Sequence, residues 1–303
     1  MIEGVFILNF IYQRTAKFFS SQSSDLPKGC SFSQQPVQSI RNLLLSDKKS
    51  FLVARIGAVE TLAIYRYFKY QFINPSLRVM LSKNAGFYYQ NRSQLIEFCD
   101  LNRTALMNAD LIAHWDTAKQ KKLFQTVGLK KELITLGSLE PFWPGANWLN
   151  LPNQTKVTVV SPFINTMVQQ LPKMHLIHPS FDISRCLFSF VKAPMTNGSY
   201  DFSPGDLTWM QRIEIMVKAV IEQTPDLVLI GAGSYGLVLG ELLRQAGLRV
   251  ILVGGGLQLY FGVIGRRWLE RPDYQAIHNE HWTHPSDKEK PRGYESIENG
   301  CYW

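Results

Sequence analysis

Cysteine is scarce, with only Cys30, Cys99, Cys186 and Cys301 in 303 residues. No two of them stand as a C-x-x-C pair, which leaves neither a zinc site nor a redox dithiol indicated and reads as buried, reduced thiols. No apolar run is long enough to span a bilayer, and no internal repeat appears. Charged residues make up 18% of the chain without a long run of either sign, against 46% hydrophobic, a composition that excludes disordered and fibrous classes. There is no zinc-finger spacing, no RNP-like motif and no basic stripe interleaved with aromatics, so nucleic acid is not an expected partner.

What is present is a basic balance and enough length for a substantial core. Lys and Arg number 32 against 24 Asp and Glu, a formal net charge of +8, which favours an acidic ligand or an anionic membrane surface. Val5 to Tyr12 (VFILNFIY) is apolar, but Glu3 precedes it and no small-residue cleavage site follows, a poor match to a signal peptide. Arg14 and Lys17 come next, ahead of Phe18 and Phe19. Residues 1–20 therefore read either as an interfacial anchor on an anionic leaflet or as a helix packed on the body. Residues 20–36 are rich in Ser, Gln, Pro and Gly and read as a linker. The expected organisation is an apolar segment and linker over 1–36 and one domain over 37–303, in a cytoplasmic protein at the inner face of the plasma membrane.

Short apolar runs alternate with helical patterns after residue 37, at 51–54 (FLVA), 77–81 (LRVML), 133–136 (LITL), 157–160 (VTVV), 175–177 (HLI) and 186–191 (CLFSFV). Read as strands, they predict an α/β fold, a mostly parallel sheet with helices on both faces. Ser203, Pro204 and Asp206 predict a helix start, followed by a buried face at Leu207, Met210, Ile213, Val217, Val220 and Ile221.

The strongest local signal follows. DLVLI at 226–230 reads as a central strand, then come Gly231-Ala-Gly233-Ser-Tyr-Gly236, a helix over Leu237 to Ala246, a stop at Gly247 and a second strand, RVILV, at 249–253. Strand, G-x-G-x-x-G, helix and strand suit a phosphate, because glycines allow close backbone approach and the helix start offers free N–H groups. A purely structural tight turn is the alternative. An NAD-binding unit would place Asp or Glu after the second strand, where this chain has Gly254-Gly255-Gly256, so the expectation is a phosphate-rich ligand held by a different ribose contact.

Arg55-Ile-Gly-Ala-Val-Glu60 follows the strand at 51–54 and so falls at the sheet edge where α/β proteins place ligands. An Arg55–Glu60 ion pair closing a helix start is the competing reading. His278, His281 and His284 have ligand-like spacing, but their polar, proline-containing setting reads as solvated.

Taken in order, RIGAVE, NAGFY (84–88), NADLIAHW (108–115), SPF with Gln169, LIGAGSYG, GGGLQLYFG and the closing NEHW, EKP and NGCYW resemble the GT-D-type glycosyltransferases of bacterial polysaccharide and glycoprotein loci, over roughly residues 48–303. The resemblance implies a Rossmann-like enzyme of surface polysaccharide biosynthesis. Such an enzyme moves a sugar from a nucleotide-diphosphate-sugar donor to the hydroxyl of a glycan or lipid-linked acceptor. The family's Arg-Phe-Gly-Asp-Gly-Glu places its Arg on Arg55, its Gly on Gly57 and its Glu on Glu60, while its Asp falls on Ala58. Glu60 is then the candidate base or ligand to a divalent metal (Mn or Mg), with one carboxylate of the pattern gone. Gly231, Gly233, Ser234 and Gly236 would cradle the diphosphate, with Gly255 and Gly256 as a second close approach. Arg55, Arg266 or Arg267 would supply positive charge, and Gln258 would read base, ribose or sugar. A methyltransferase, an NAD-dependent enzyme and a non-catalytic nucleotide-sugar-binding relative are the alternatives.

Overall fold

Short runs rich in Val, Leu and Ile are too brief for helices and, in the middle of the sheet, apolar enough to be covered on both faces. In the computed structural model, which describes residues 26–115, 118–142, 147–178, 185–198, 200–203 and 205–303, they build one sheet. Its strands are β1 (Ser31–Phe32), β2 (Phe51–Ala54), β3 (Leu111–His114), β4 (Glu132–Thr135), β5 (Lys156–Ser161), β6 (Leu187–Lys192), β7 (Leu227–Ile230) and β8 (Arg249–Leu252). They lie in the order β1-β4-β3-β2-β8-β7-β5-β6 and every neighbouring pair is parallel. The expected α/β fold is thus present.

Alternate strand residues feed two cores, as the period of two requires. Leu52 and Ala54 of β2 join one and Phe51 and Val53 the other. The first core is closed by α2 (Ala58–Tyr70), α3 (Pro75–Lys83), α4 (Arg92–Asn108), α5 (Ala118–Thr126), α8 (Trp209–Glu222) and α9 (Gly236–Gln245). The second is closed by α1 (Pro36–Leu45), α6 (Ile164–Gln170), α7 (Met174–Ile177), the 3₁₀ segment Gly254–Phe261, α10 (Arg266–Leu269), α11 (Pro272–Gln275) and the segment running on to Trp303. β2 therefore hands its chain to one face while its neighbour β8 hands its chain to the other. This topological switch point opens a crevice at the C-terminal ends of the strands.

Several local expectations are corrected. LRVML is helix α3, because Pro75 stands in its first turn, Asn74 Oδ1 caps it by accepting from Leu77 N at 2.9 Å, and Leu77 and Leu81 are its buried pair, four apart. HLI falls in helix α7, whereas LIAH, not read as a strand, is β3. The helix expected from Ser203 begins at Trp209, where Thr208 and Gln211 form a reciprocal capping box. Asp206 instead accepts from Ser203 N at 3.0 Å, and the helix buries Trp209, Ile213, Met216 and Val220 while Leu207 and Ile221 stay exposed. Part of the expected linker is edge strand β1. Residues 1–25, including the apolar N-terminal segment, lie outside the described residues; among those described, no helix is long and apolar enough to cross a membrane.

His178 lies in the second core, stacked on Phe142 at 5.4 Å, with Nε2 2.9 Å from Leu259 O. Burial lowers its pKa from 6.5 to about 4. The unfolded chain then binds a proton that the folded chain refuses, so this group's contribution is complete above pH 6.5 and is lost as pH falls towards 4. The expected loss by pH 4 is ~3 kcal/mol. Denaturant midpoints at pH 7 and pH 4.5 for the wild type and His178→Phe test it, and an equal acid shift in both would refute the assignment.

Candidate functional site

A cavity of about 550 Å³ occupies the switch-point crevice, within the range of small-ligand sites. The turns after β2, β5, β7 and β8 line it, together with residues from 84–85, 195–197, 267–274 and 298–303. Of the residues singled out from the sequence, Arg55, Glu60, Gly231, Gly233, Ser234, Gly255, Gly256, Gln258 and Arg267 all line it. Arg266 does not. Its side chain is solvated and bridges to Glu270 at 2.7 Å, because adjacent positions on α10 point apart.

Arg55 leaves β2 and crosses to β8, where Nη1 donates to Val253 O at 3.3 Å and the guanidinium sits 5.3 Å from the centre of the Trp115 ring. Gly254 has φ +74 and any side chain there would run into that guanidinium, so the triple glycine admits Arg55 to the cavity. Burial lowers the Arg55 pKa, partly countered by Tyr302 and Glu60.

Glu60 is the third residue of α2, whose N-cap is Gly57. Its carboxylate folds back over Gly57, which has no Cβ to obstruct it, and bonds its own backbone N–H. Burial raises its pKa, opposed by that bond and by Arg55. The competing reading, an Arg55–Glu60 ion pair, gives way to this arrangement: the two interact through the field, while Arg55 donates its hydrogen bond to Val253 O just after β8.

The glycine loop is less open than its pattern suggests. Gly231 N donates to Val160 O and Ser234 N to Ala85 O at 3.2 Å. A Cβ on Gly231 would meet Gly254 O at 2.6 Å. Gly236 lies beneath the cavity floor, where helix α9 packs against Leu252, so its role is close packing rather than ligand contact. Gly233 has φ +53, which makes a β-branched substitution there strained whatever the ligand. Gly255 backs onto the Tyr302 ring and Gly256 onto Glu140.

What marks the cavity as a ligand site is unmet polarity. Ser234 Oγ and Gln258 Oε1 belong to residues only 3% and 1% exposed, and among the described residues neither has a hydrogen-bond partner; Asn197 Oδ1 and Trp115 Nε1 are likewise unpaired there. All four residues line the cavity. Buried polar groups are normally satisfied, and four unpaired ones among the residues of one cavity wall favour a polar ligand there. Gln258 is held by Nε2 donating to Tyr302 O at 3.2 Å, and Arg267 by Nη1 donating to Tyr302 Oη at 3.1 Å with its guanidinium 4.5 Å from that ring's centre.

The carboxylates that a divalent cation would draw on are reduced or engaged elsewhere. Ala58 removes one carboxylate, Glu140 accepts from Tyr274 Oη, and Glu298 accepts from Arg267. Among the described residues no group of three His, Cys, Asp or Glu could hold a metal, the three tail histidines included.

Sequence reasoning did not single out Trp115, Glu140, Asn197, Arg271 or Tyr302. Trp115 closes NADLIAHW and Tyr302 lies in NGCYW, motifs of the resemblance, whereas Asn197 and Arg271 reach the cavity from segments outside those motifs. The opposite holds for Asn108 and Asp110, which are scaffold. Asn108 Nδ2 donates to Glu241 Oε1 and Asp110 Oδ2 accepts from Leu52 N, both at 2.8 Å. No family model matches this chain, and neither a curated protein nor a solved structure matches it.

Proposed function

We propose that this protein is a glycosyltransferase that binds a nucleotide-diphosphate sugar in the switch-point cavity and passes the sugar to a hydroxyl of a glycan or lipid-linked acceptor. The observation that carries the reading is the coincidence in one cavity of four unpaired buried polar atoms with the cations Arg55, Arg267 and Arg271. Hydrogen-bonding groups suit a nucleoside and sugar, and guanidinium groups suit a diphosphate. The sequence pattern adds weight, since the turn after β8 lacks the acid that an NAD site uses.

In this reading the Glu60 carboxylate takes the proton of the acceptor hydroxyl, whose oxygen forms the new bond to the anomeric carbon. The bond from that carbon to the diphosphate oxygen breaks, and the nucleoside diphosphate leaves with its charge met by Arg55 and Arg267. Transfer needs little else from the protein. A second reading, a nucleotide-sugar binder without transfer, draws on Ala58 and on the Glu60 carboxylate curled onto its own helix start.

Thermal shift with UDP, GDP, NAD and S-adenosylmethionine tests the ligand class. A nucleoside diphosphate is expected to stabilise the protein most, without needing Mn²⁺; stabilisation only by NAD or S-adenosylmethionine would overturn the proposal. Release of nucleoside diphosphate from a bound donor, with and without acceptor, separates enzyme from binder. Ser234→Ala refines the test. Removing an unpaired buried hydroxyl should leave the melting temperature equal or slightly higher, yet weaken nucleotide binding ~5–10-fold.

A further inference from the structure

The positive excess of this chain is not spread over its surface. Residues 61–96 and 118–131 contain ten of the 32 Lys and Arg and none of the 24 Asp and Glu, leaving 22 basic against 24 acidic residues everywhere else. The two segments share one side of the fold, since α2 packs against α3 and against α5. No run of charge betrays this along the sequence; helix packing assembles it. Arg66, Lys69, Lys83, Arg92, Lys119 and Lys122 all point to solvent, and none has an ion pair among the described residues.

The same side carries apolar groups that no described residue covers. Tyr70 and Phe72, at the end of α2, are each 56% exposed, and Val79 and Met80, on the outer face of α3, are 52% and 42% exposed. Along α3 the outward positions are Pro75, Ser76, Val79, Met80 and Lys83, one stripe at helical spacing ending in a cation. The guanidinium of Arg66 lies 5.7 Å from the Tyr70 ring centre, which holds charge and aromatic together at the surface. The neighbouring helix α4 exposes the carboxylates Glu97 and Asp100, and its Arg103 lies 5.4 Å from the centre of the Phe68 ring of α2.

We propose that this α2–α3–α5 surface docks the protein on an anionic lipid bilayer, with Tyr70, Phe72, Val79 and Met80 entering the headgroup region and the surrounding lysines and arginines meeting lipid phosphates. Convex helices with cations around exposed aromatic and aliphatic tips match an interfacial binder. A single-stranded nucleic acid would use aromatic faces in a basic groove, and Val79 and Met80 offer it nothing to stack on. The inference does not depend on the proposed chemistry or on residues 1–20. It adds that α3 runs from this surface to Asn84 and Ala85 in the cavity wall, which connects bound lipid with the site.

The test is sedimentation of the full chain with vesicles of phosphatidylcholine alone and of phosphatidylcholine with phosphatidylglycerol. Binding is expected only to the anionic vesicles and to weaken with salt. Lys69→Glu/Lys83→Glu/Lys122→Glu should reduce partitioning ~100-fold, and Phe72→Ser/Met80→Ser should reduce it at unchanged charge. Circular dichroism melts and UDP binding are expected to match the wild type, since every altered residue is at the surface and outside the cavity. Equal vesicle binding by wild type and both variants would overturn the proposal, as would equal binding to the two vesicle types. Displacement of bound protein by oligo(U) with no rebinding to fresh vesicles would do so in favour of nucleic acid.

Discussion

Glu60→Gln is expected to lower sugar transfer at least ~100-fold while sparing nucleoside-diphosphate affinity and the fold. The amide keeps the length and the acceptor oxygen that reaches back over Gly57, so the start of α2 should survive. What it loses is the capacity to take a proton. Burial raises the carboxyl pKa, and the sign of the consequence is definite. The basic form is populated only above the raised pKa, so transfer should climb with pH through a midpoint above the ordinary glutamate range and then level. In the folded protein the same shift makes the ionised side chain a cost near neutrality, so the Gln variant should melt at an equal or higher temperature. A lower melting temperature with unchanged turnover per folded molecule would make Glu60 a helix cap and remove it from the mechanism.

Glu289→Ala should be among the most destabilising single changes available outside the cavity. This side chain is fully buried and accepts from Asn165 N at 2.8 Å, from Thr166 N at 3.3 Å, from Thr166 Oγ1 and from Ser286 Oγ at 3.1 Å, with Lys192 Nζ 3.5 Å away. It thereby ties the start of α6 to the 286–289 turn, and its backbone oxygen accepts from Trp303 Nε1 at 2.7 Å. Truncation strands buried donors, a loss of ~3 kcal/mol and a fall in melting temperature of ~5 °C or more. Glu289→Gln retains an acceptor and should cost about half as much. Asp287→Ala is the control: that carboxylate is exposed and pairs with Lys290 at 2.8 Å, so its loss should leave the melting temperature nearly unchanged. Indistinguishable melts for the Ala variants at 287 and 289 would refute the role of Glu289 as a staple. Since residues 298–303 also line the cavity, Glu289→Ala should weaken nucleotide binding as well, through position rather than contact.

Period and punctuation made some of the fold legible. FLVA, VTVV, LVLI and RVIL are short and dominated by apolar residues, and each is a strand at its expected place. Gly247 stops α9 in a left-handed conformation, φ +92, where the pattern put a stop. LRVML shows the limit, because five apolar-rich residues fit either period and only the cap by Asn74 and the turn at Pro75 decide for helix. The start of α8 shows another. Ser203 and Thr208 offer caps of similar strength, and burial of Trp209 against Phe98 and Tyr235 selects the second.

The sequence by itself determined that the chain is α/β, that a glycine-rich turn joins two parallel strands, and that Arg55 and Glu60 stand just beyond a third. These are local facts, set by the spacing of apolar residues and by which residues tolerate a turn. Only the tertiary structure decided that β2 and β8 are neighbours sending their chains to opposite faces, which brings residue 55 against residue 254 and opens the cavity. It also decided that Arg266 points away while Arg267 points in, that Gly236 packs rather than binds, and that six cations scattered between residues 66 and 122 come to one side of the fold. Each of those depends on contacts between residues far apart in the chain, and no local preference encodes which distant strand a given strand will meet.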